Sequence, residues 1–187
     1  MKSLSEWIAE RDTDTAGHWW NSVLLESPSF IVIPSLGSIV PGWVLLVPKK
    51  PYLAFNRIPE ALRDECEDIM GLTTDRVTNL FGPPFIFEHG PARFRSEVGC
   101  SVDHAHVHFV PCGIESIDIV SLYDTKATRW GRATRKELFS PCKEGSSYLY
   151  AEFCGGDCYR AEGITFESQL LRKVVAGDIT ECCGRGS

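Results

Sequence analysis

Three histidines alternate with apolar residues in His104-Ala105-His106-Val107-His108, and Phe109-Val110-Pro111 follow them. Successive side chains of a β-strand point to opposite faces, so His104, His106 and His108 are expected on one face. Ala105, Val107 and Phe109 then fall on the other, against a core. The chain holds five histidines in all, and buried polar rings need partners. Neighbouring imidazoles repel when protonated, which lowers their pKa values and favours the neutral ring. A neutral imidazole is what a nucleophile or a metal ligand requires. The spacing alone leaves three readings open: a nucleophilic site, a metal site, and a row of satisfied histidines without chemistry.

Alternating histidines on a strand can converge on one ion. The metallo-β-lactamase pattern, however, calls for an Asp-His pair where Phe109-Val110 stand, and no closed ligand set can be named nearby. Eight cysteines include Cys154-Gly-Gly-Asp-Cys158 and the adjacent Cys182-Cys183. Their spacing does not match a four-ligand structural zinc site. They are expected to be reduced thiols in a cytoplasmic protein, and no metal or cofactor is called for.

The elements that must position these groups follow from the patterning. Ser3-Leu4-Ser5-Glu6 has the form of a capping box and predicts a short helix through Trp7 and Ile8. Strands are expected over 23–25, 29–33 and 42–47, the last closed by Pro48. Leu62, Cys66, Ile69, Met70, Thr73, Val77, Leu80 and Phe81 recur at three- and four-residue steps. They predict a long amphipathic helix stopped by Gly82-Pro83-Pro84. Further strands are expected over 85–88, 104–110 and 148–153. Phe166, Leu170, Leu171, Val174 and Val175 predict a second helix ending at Gly177. Gln169 and Arg172 fall beside that apolar stripe, on a face expected to be solvated. The order implies an α+β fold, an antiparallel sheet with helices on one side.

The 187 residues suit a single domain: an N-terminal helix or extension over 1–19, a core over 20–111, and a C-terminal extension over 112–187 within the same domain. Nineteen basic and 25 acidic residues leave a net charge of −6. That balance argues against a binder of polymeric nucleic acid or of a membrane surface, and permits a local site for a small anion. The longest apolar run, Trp43 to Val47, is far below the roughly 20 residues of a membrane span, and the first 30 residues offer no signal-peptide core.

The run His104 to Val110 resembles the signature of the histidine triad (HIT) superfamily of nucleotide hydrolases and transferases. Pro41-Gly42-Trp43-Val44-Leu45-Leu46-Val47-Pro48-Lys49-Lys50 is similar to that family's strand and turn before its long helix. Phe87-Glu88-His89-Gly90 resembles the strand entering its phosphate loop, and Gly99-Cys100-Ser101-Val102 the loop itself. The resemblance implies a five-stranded antiparallel sheet packed by the long helix, often in a homodimer. It implies reaction at the α-phosphorus of a nucleoside phosphate derivative, with a nucleotide or dinucleotide as partner. His106 would form a covalent nucleotidyl-histidine, and His104 and His108 would set its orientation and electrostatics. A bond from His106 Nδ1–H to a backbone carbonyl would leave Nε2 as the attacking atom. Ser101 would meet the bridging atom or leaving group. Gly99, Cys100 and Val102 would offer backbone N–H groups to phosphate oxygens.

Several positions depart from the family pattern. Glu88 stands where many members carry Asn, Cys100 where they carry Gln, Trp43 where they carry His, and Ser35 near an acidic position. Glu88, Trp43 and Ser35 are nevertheless expected to contact substrate, Glu88 by turning to a ribose hydroxyl or pairing with a cation. The expectation is a nucleotide hydrolase or nucleotidyl transferase. A phosphorylase, a non-catalytic nucleotide-binding module and a metal-dependent hydrolase stand as alternatives.

Overall fold

The computed structural model describes residues 22–95, 103–117, 129–164, 166 and 169–184, with side chains of the last helix described as far as Gly177. The helix expected through Trp7 lies outside the described residues. The strands are β1 (Leu25–Glu26), β2 (Phe30–Pro34), β3 (Val44–Pro48), β4 (Phe85–Gly90), β5 (Val107–Val110), β6 (Gly131–Ala133), β7 (Ser147–Glu152) and β8 (Cys158–Gly163). They form one antiparallel sheet in the order β1-β2-β3-β5-β4-β7-β8-β6.

Eight strands stand where five were implied. The widening comes chiefly from the residues after 111. β7 pairs with β4 from Ile86↔Glu152 to Gly90↔Tyr148, and β8 and β6 continue beyond it. All six residues of β4 are buried, so an unpaired β4 edge would leave backbone donors and acceptors without partners. β7 covers that edge.

Helix α1 (Arg63–Phe81) buries Cys66, Ile69, Met70, Thr73 and Val77 at the expected spacing. It packs on Phe30, Val32, Leu46, Ile86, Val107 and Phe109. The helix ends at Gly82, whose φ of +103° a glycine adopts without strain and whose N–H bonds Thr78 O. Leu80 and Phe81, expected on the buried stripe, are 73% and 51% exposed and line an apolar cavity with Leu25, Val32 and Val44.

Helix α2 (Leu170–Gly184) corrects the expectation of helices on one side. Leu171, Val174 and Val175 pack with Trp43, Phe85, Phe87 and Phe153 on the face opposite α1. β4 and β7 are buried throughout, and a strand buried on both sides needs a layer on each. The helix continues through Gly177, where a stop was expected; an interior glycine costs only about 1 kcal/mol relative to alanine. No described helix is long and apolar enough to cross a membrane.

Candidate active site

The histidine segment straddles the end of a ladder. β5 begins at Val107, opposite Leu46 of β3. Continuing that register would set Ala105 against Pro48, which has no N–H to donate. Ala105 N–H turns instead to Tyr52 O at 2.7 Å. Only His108 of the three therefore sits within the strand, while His104 and His106 lie on the extended approach to it.

His108 is 1% exposed and pairs across the sheet with Leu45 and Phe87. Its ring stacks on Phe87 with centroids 4.4 Å apart and meets the Trp43 ring edge-on at 5.6 Å. Trp43 Nε1–H donates to His108 Nδ1 at 3.0 Å. An indole N–H only donates, so Nδ1 carries a lone pair and the neutral ring holds its proton on Nε2.

The other two rings are fixed by carbonyls. His104 Nε2 lies 2.8 Å from Pro48 O, and His106 Nδ1 lies 2.8 Å from His104 O. A carbonyl oxygen only accepts, so both ring nitrogens are N–H donors. The neutral His106 ring consequently presents its lone pair at Nε2. His106 is half-buried and its ring is 4.8 Å from that of His108.

Burial and mutual repulsion keep these rings uncharged. Burial lowers the pKa of His106, opposed by its bond to His104 O and reinforced by the charges of His104 and Arg172. His108 falls well below the usual imidazole range through burial, then through His106, His89 and Arg172. His104 is lowered by burial against the opposing bond to Pro48 O.

A fourth imidazole joins the cluster. On β4, Phe85, Phe87 and His89 share the face that meets His108, as period-two alternation beside the Phe87↔His108 pair requires. That alternation was readable in Phe87-Glu88-His89, yet His89 was not singled out. Its Nε2 accepts Leu171 N–H at 3.2 Å, satisfying a first-turn donor of α2. The proton then lies on Nδ1, which is buried without a hydrogen-bond partner among the described residues. Burial, with His106 and Arg172 nearby, pushes its pKa down to about 3.

Arg172 departs from the solvated-face expectation. Its guanidinium lies 4.8 Å from the Trp43 ring centroid, and Nη2 donates to Gly37 O at 2.6 Å. A bare 3.6-residue period cannot reveal this contact, because it depends on which face of the sheet α2 covers. Gln169 is exposed and adopts a left-handed φ of +57° one residue before the helix.

The remaining expected contacts divide. Trp43 joins the cluster through its bond to His108 and is 2% exposed. Glu88 lies on the α1 face, away from the imidazoles. Phe55 N–H donates to its Oε1 at 2.9 Å, and Tyr148 hydroxyl donates to its Oε2. The period that puts His89 with the triad puts Glu88 on the far side. Ser35 is buried, and its N–H donates to Trp43 O at 3.1 Å. With Val44, Val77 and Phe81 it lines an apolar cavity of about 520 Å³ that no imidazole of the described residues lines. Gly99, Cys100, Ser101 and Val102 lie outside the described residues.

Among the described residues no group of three His, Cys, Asp or Glu is arranged to hold a metal ion. Cys154 and Cys158 direct their thiols to the carbonyls of Pro83 and Gly156 at 3.3 and 3.6 Å. In the triad, the Pro48, His104 and Trp43 contacts already engage one nitrogen of each ring. The arrangement suits a single outward lone pair, at His106 Nε2, better than convergent ligation.

No protein-family model matches the chain, and no curated protein matches it. Among solved structures, one described as "Hit Like Protein" is similar at a TM-score of 0.41 and 18% identity, over 48% of this chain and 83% of that one.

Proposed function

We propose that this chain is a nucleotide hydrolase or nucleotidyl transferase acting at the α-phosphorus of a nucleoside phosphate derivative. The observation that carries the reading is the 2.8 Å contact of His106 Nδ1 with His104 O, which directs the lone pair to Nε2. A neutral, oriented imidazole on a half-buried ring is a ready nucleophile.

In the first step His106 Nε2 attacks phosphorus. An N–P bond forms, the bond from phosphorus to the leaving group breaks, and the leaving group departs with the electron pair. The ring becomes a cation, and its Nδ1–H remains bonded to His104 O, which stabilises that charge. In the second step water or another acceptor attacks phosphorus and the N–P bond breaks. Nε2 regains its lone pair, and the acceptor's proton is released. His108 Nε2–H is a donor of the correct tautomer for a phosphoryl oxygen, its proton held there by Trp43. His104 acts on the nucleophile through its carbonyl. The resemblance of His104 to Val110 to the triad signature points to the same chemistry.

The test is rapid acid-free quenching after mixing with α-phosphorus-labelled dinucleotides and nucleoside phosphoramidates. The expected result is an acid-labile, base-stable label on the wild type and none on His106→Ala. Turnover with no label, or normal turnover by His106→Ala, contradicts the proposal. Tight binding with neither label nor product marks a binding module instead.

A further inference from the structure

The arginine delivered by α2 is a cation placed among neutral rings. We infer that Arg172 is a specificity-determining residue, which binds a phosphate adjoining the one under attack and so selects nucleotides with at least two linked phosphates. This inference rests on the reading of the site given above.

Four observations carry it. First, the guanidinium is docked: one N–H reaches Gly37 O at 2.6 Å and the group lies 4.8 Å from the Trp43 ring centroid. Two contacts from separate elements fix a side chain that on an open surface would sample many rotamers. Second, no carboxylate among the described residues forms an ion pair with it. In a chain of net charge −6, such a cation makes a local anion-attracting field.

Third, its position is coupled to the imidazoles. The residue before it, Leu171, gives its N–H to His89 at 3.2 Å, and Trp43 beneath the guanidinium holds His108 at 3.0 Å. Arg172 also acts electrostatically on His89, His106 and His108. Fourth, a guanidinium has five N–H donors in a planar fork that matches phosphate oxygens. Among the described residues, the Gly37 bond engages one of them. A lone α-phosphate held by the imidazoles would leave this cation unused, whereas a second phosphate gives it a partner.

The experiment measures binding of adenosine, guanosine, cytidine and uridine mono- and diphosphates by calorimetry, without metal and at fixed ionic strength. For the base that binds best, wild type is expected to prefer the diphosphate over the monophosphate by about 10- to 100-fold, the range of one charge-assisted contact. Arg172→Gln should erase that preference, and Arg172→Lys should restore part of it. Gly37→Ala supplies a second variant, because an added Cβ would run into the guanidinium and displace it with its charge intact. It should lose part of the preference, and it decides the matter if Arg172→Gln does not fold. A wild type without the preference, or variants that keep it in full, overturns the assignment. Label at His106 is scored separately. No label with a preference lost in Arg172→Gln sinks the covalent reading but keeps the anion contact, and label with an unchanged preference does the reverse.

Discussion

Trp43 and His108, 65 positions apart in the chain, are joined by an indole N–H bond to Nδ1 at 3.0 Å in a buried setting. The bond sets the tautomer of a ring that stands beside His106, the proposed nucleophile. Trp43→Phe keeps an aromatic ring but removes the donor, leaving a buried acceptor without its partner. We expect a loss of about 1–3 kcal/mol in stability and a fall of roughly tenfold in kcat/KM as His108 samples both tautomers. Nitrogen-15 NMR of the rings checks it: wild type carries the His108 proton on Nε2, and the variant populates both forms. An unchanged tautomer and midpoint would contradict the assigned role.

Acid should unfold the protein through its histidines. The pKa of His89 is about 3 in the folded chain against an ordinary value of 6.5. Between those values the unfolded chain binds a proton that the folded chain refuses, so stability falls as pH drops below 6.5. His89 alone accounts for about 2 kcal/mol at pH 5, and His104, His106 and His108 are shifted in the same direction. Denaturant titrations at pH 7.5 and 5 should show the loss, and His89→Gln should reduce its slope. A stability flat from pH 7.5 to 5 would refute this account.

Glu88 works in the opposite sense. Burial raises its carboxyl pKa to about 8, against the lowering effects of Tyr148, Phe55 N–H and Arg160. From its ordinary 4.5 up to about 8 the folded chain retains a proton that the unfolded chain has lost, so this group costs stability as pH rises. Glu88→Gln keeps an acceptor for Phe55 N–H and can donate to Tyr148, whose hydroxyl also lies 3.3 Å from Leu138 O. The variant should gain on the order of 4 kcal/mol at pH 8, shrinking to about 1 kcal/mol at pH 5. If Glu88 contacts substrate instead, the variant would leave this profile unchanged and raise KM.

The legible parts of the fold are those whose partners lie close in sequence or whose periodicity is strict. The α1 stripe from Cys66 to Val77 and its stop at Gly82 follow from a 3.6-residue repeat and a positive φ. The alternation from His104 to Phe109 separates the imidazoles from the core face. β6 escaped notice because three residues, two of them exposed, show no period. The face chosen by α2 escaped because an apolar stripe says that a helix packs without saying where, and Arg172 was misplaced with it. Glu88 and His89 are neighbours in sequence on opposite faces, so reading them together as a loop entrance hid both roles.

The central claim is that His106 Nε2 forms the bond to phosphorus. Its most direct test is intact-mass and peptide analysis of wild-type protein quenched during turnover of a dinucleotide, with phosphorus-31 NMR to name the bonded nitrogen. The account predicts one nucleoside monophosphate adduct on His106, at Nε2, absent from His106→Ala. An adduct on His104 or His108, attachment through Nδ1, or steady turnover with no adduct would contradict it.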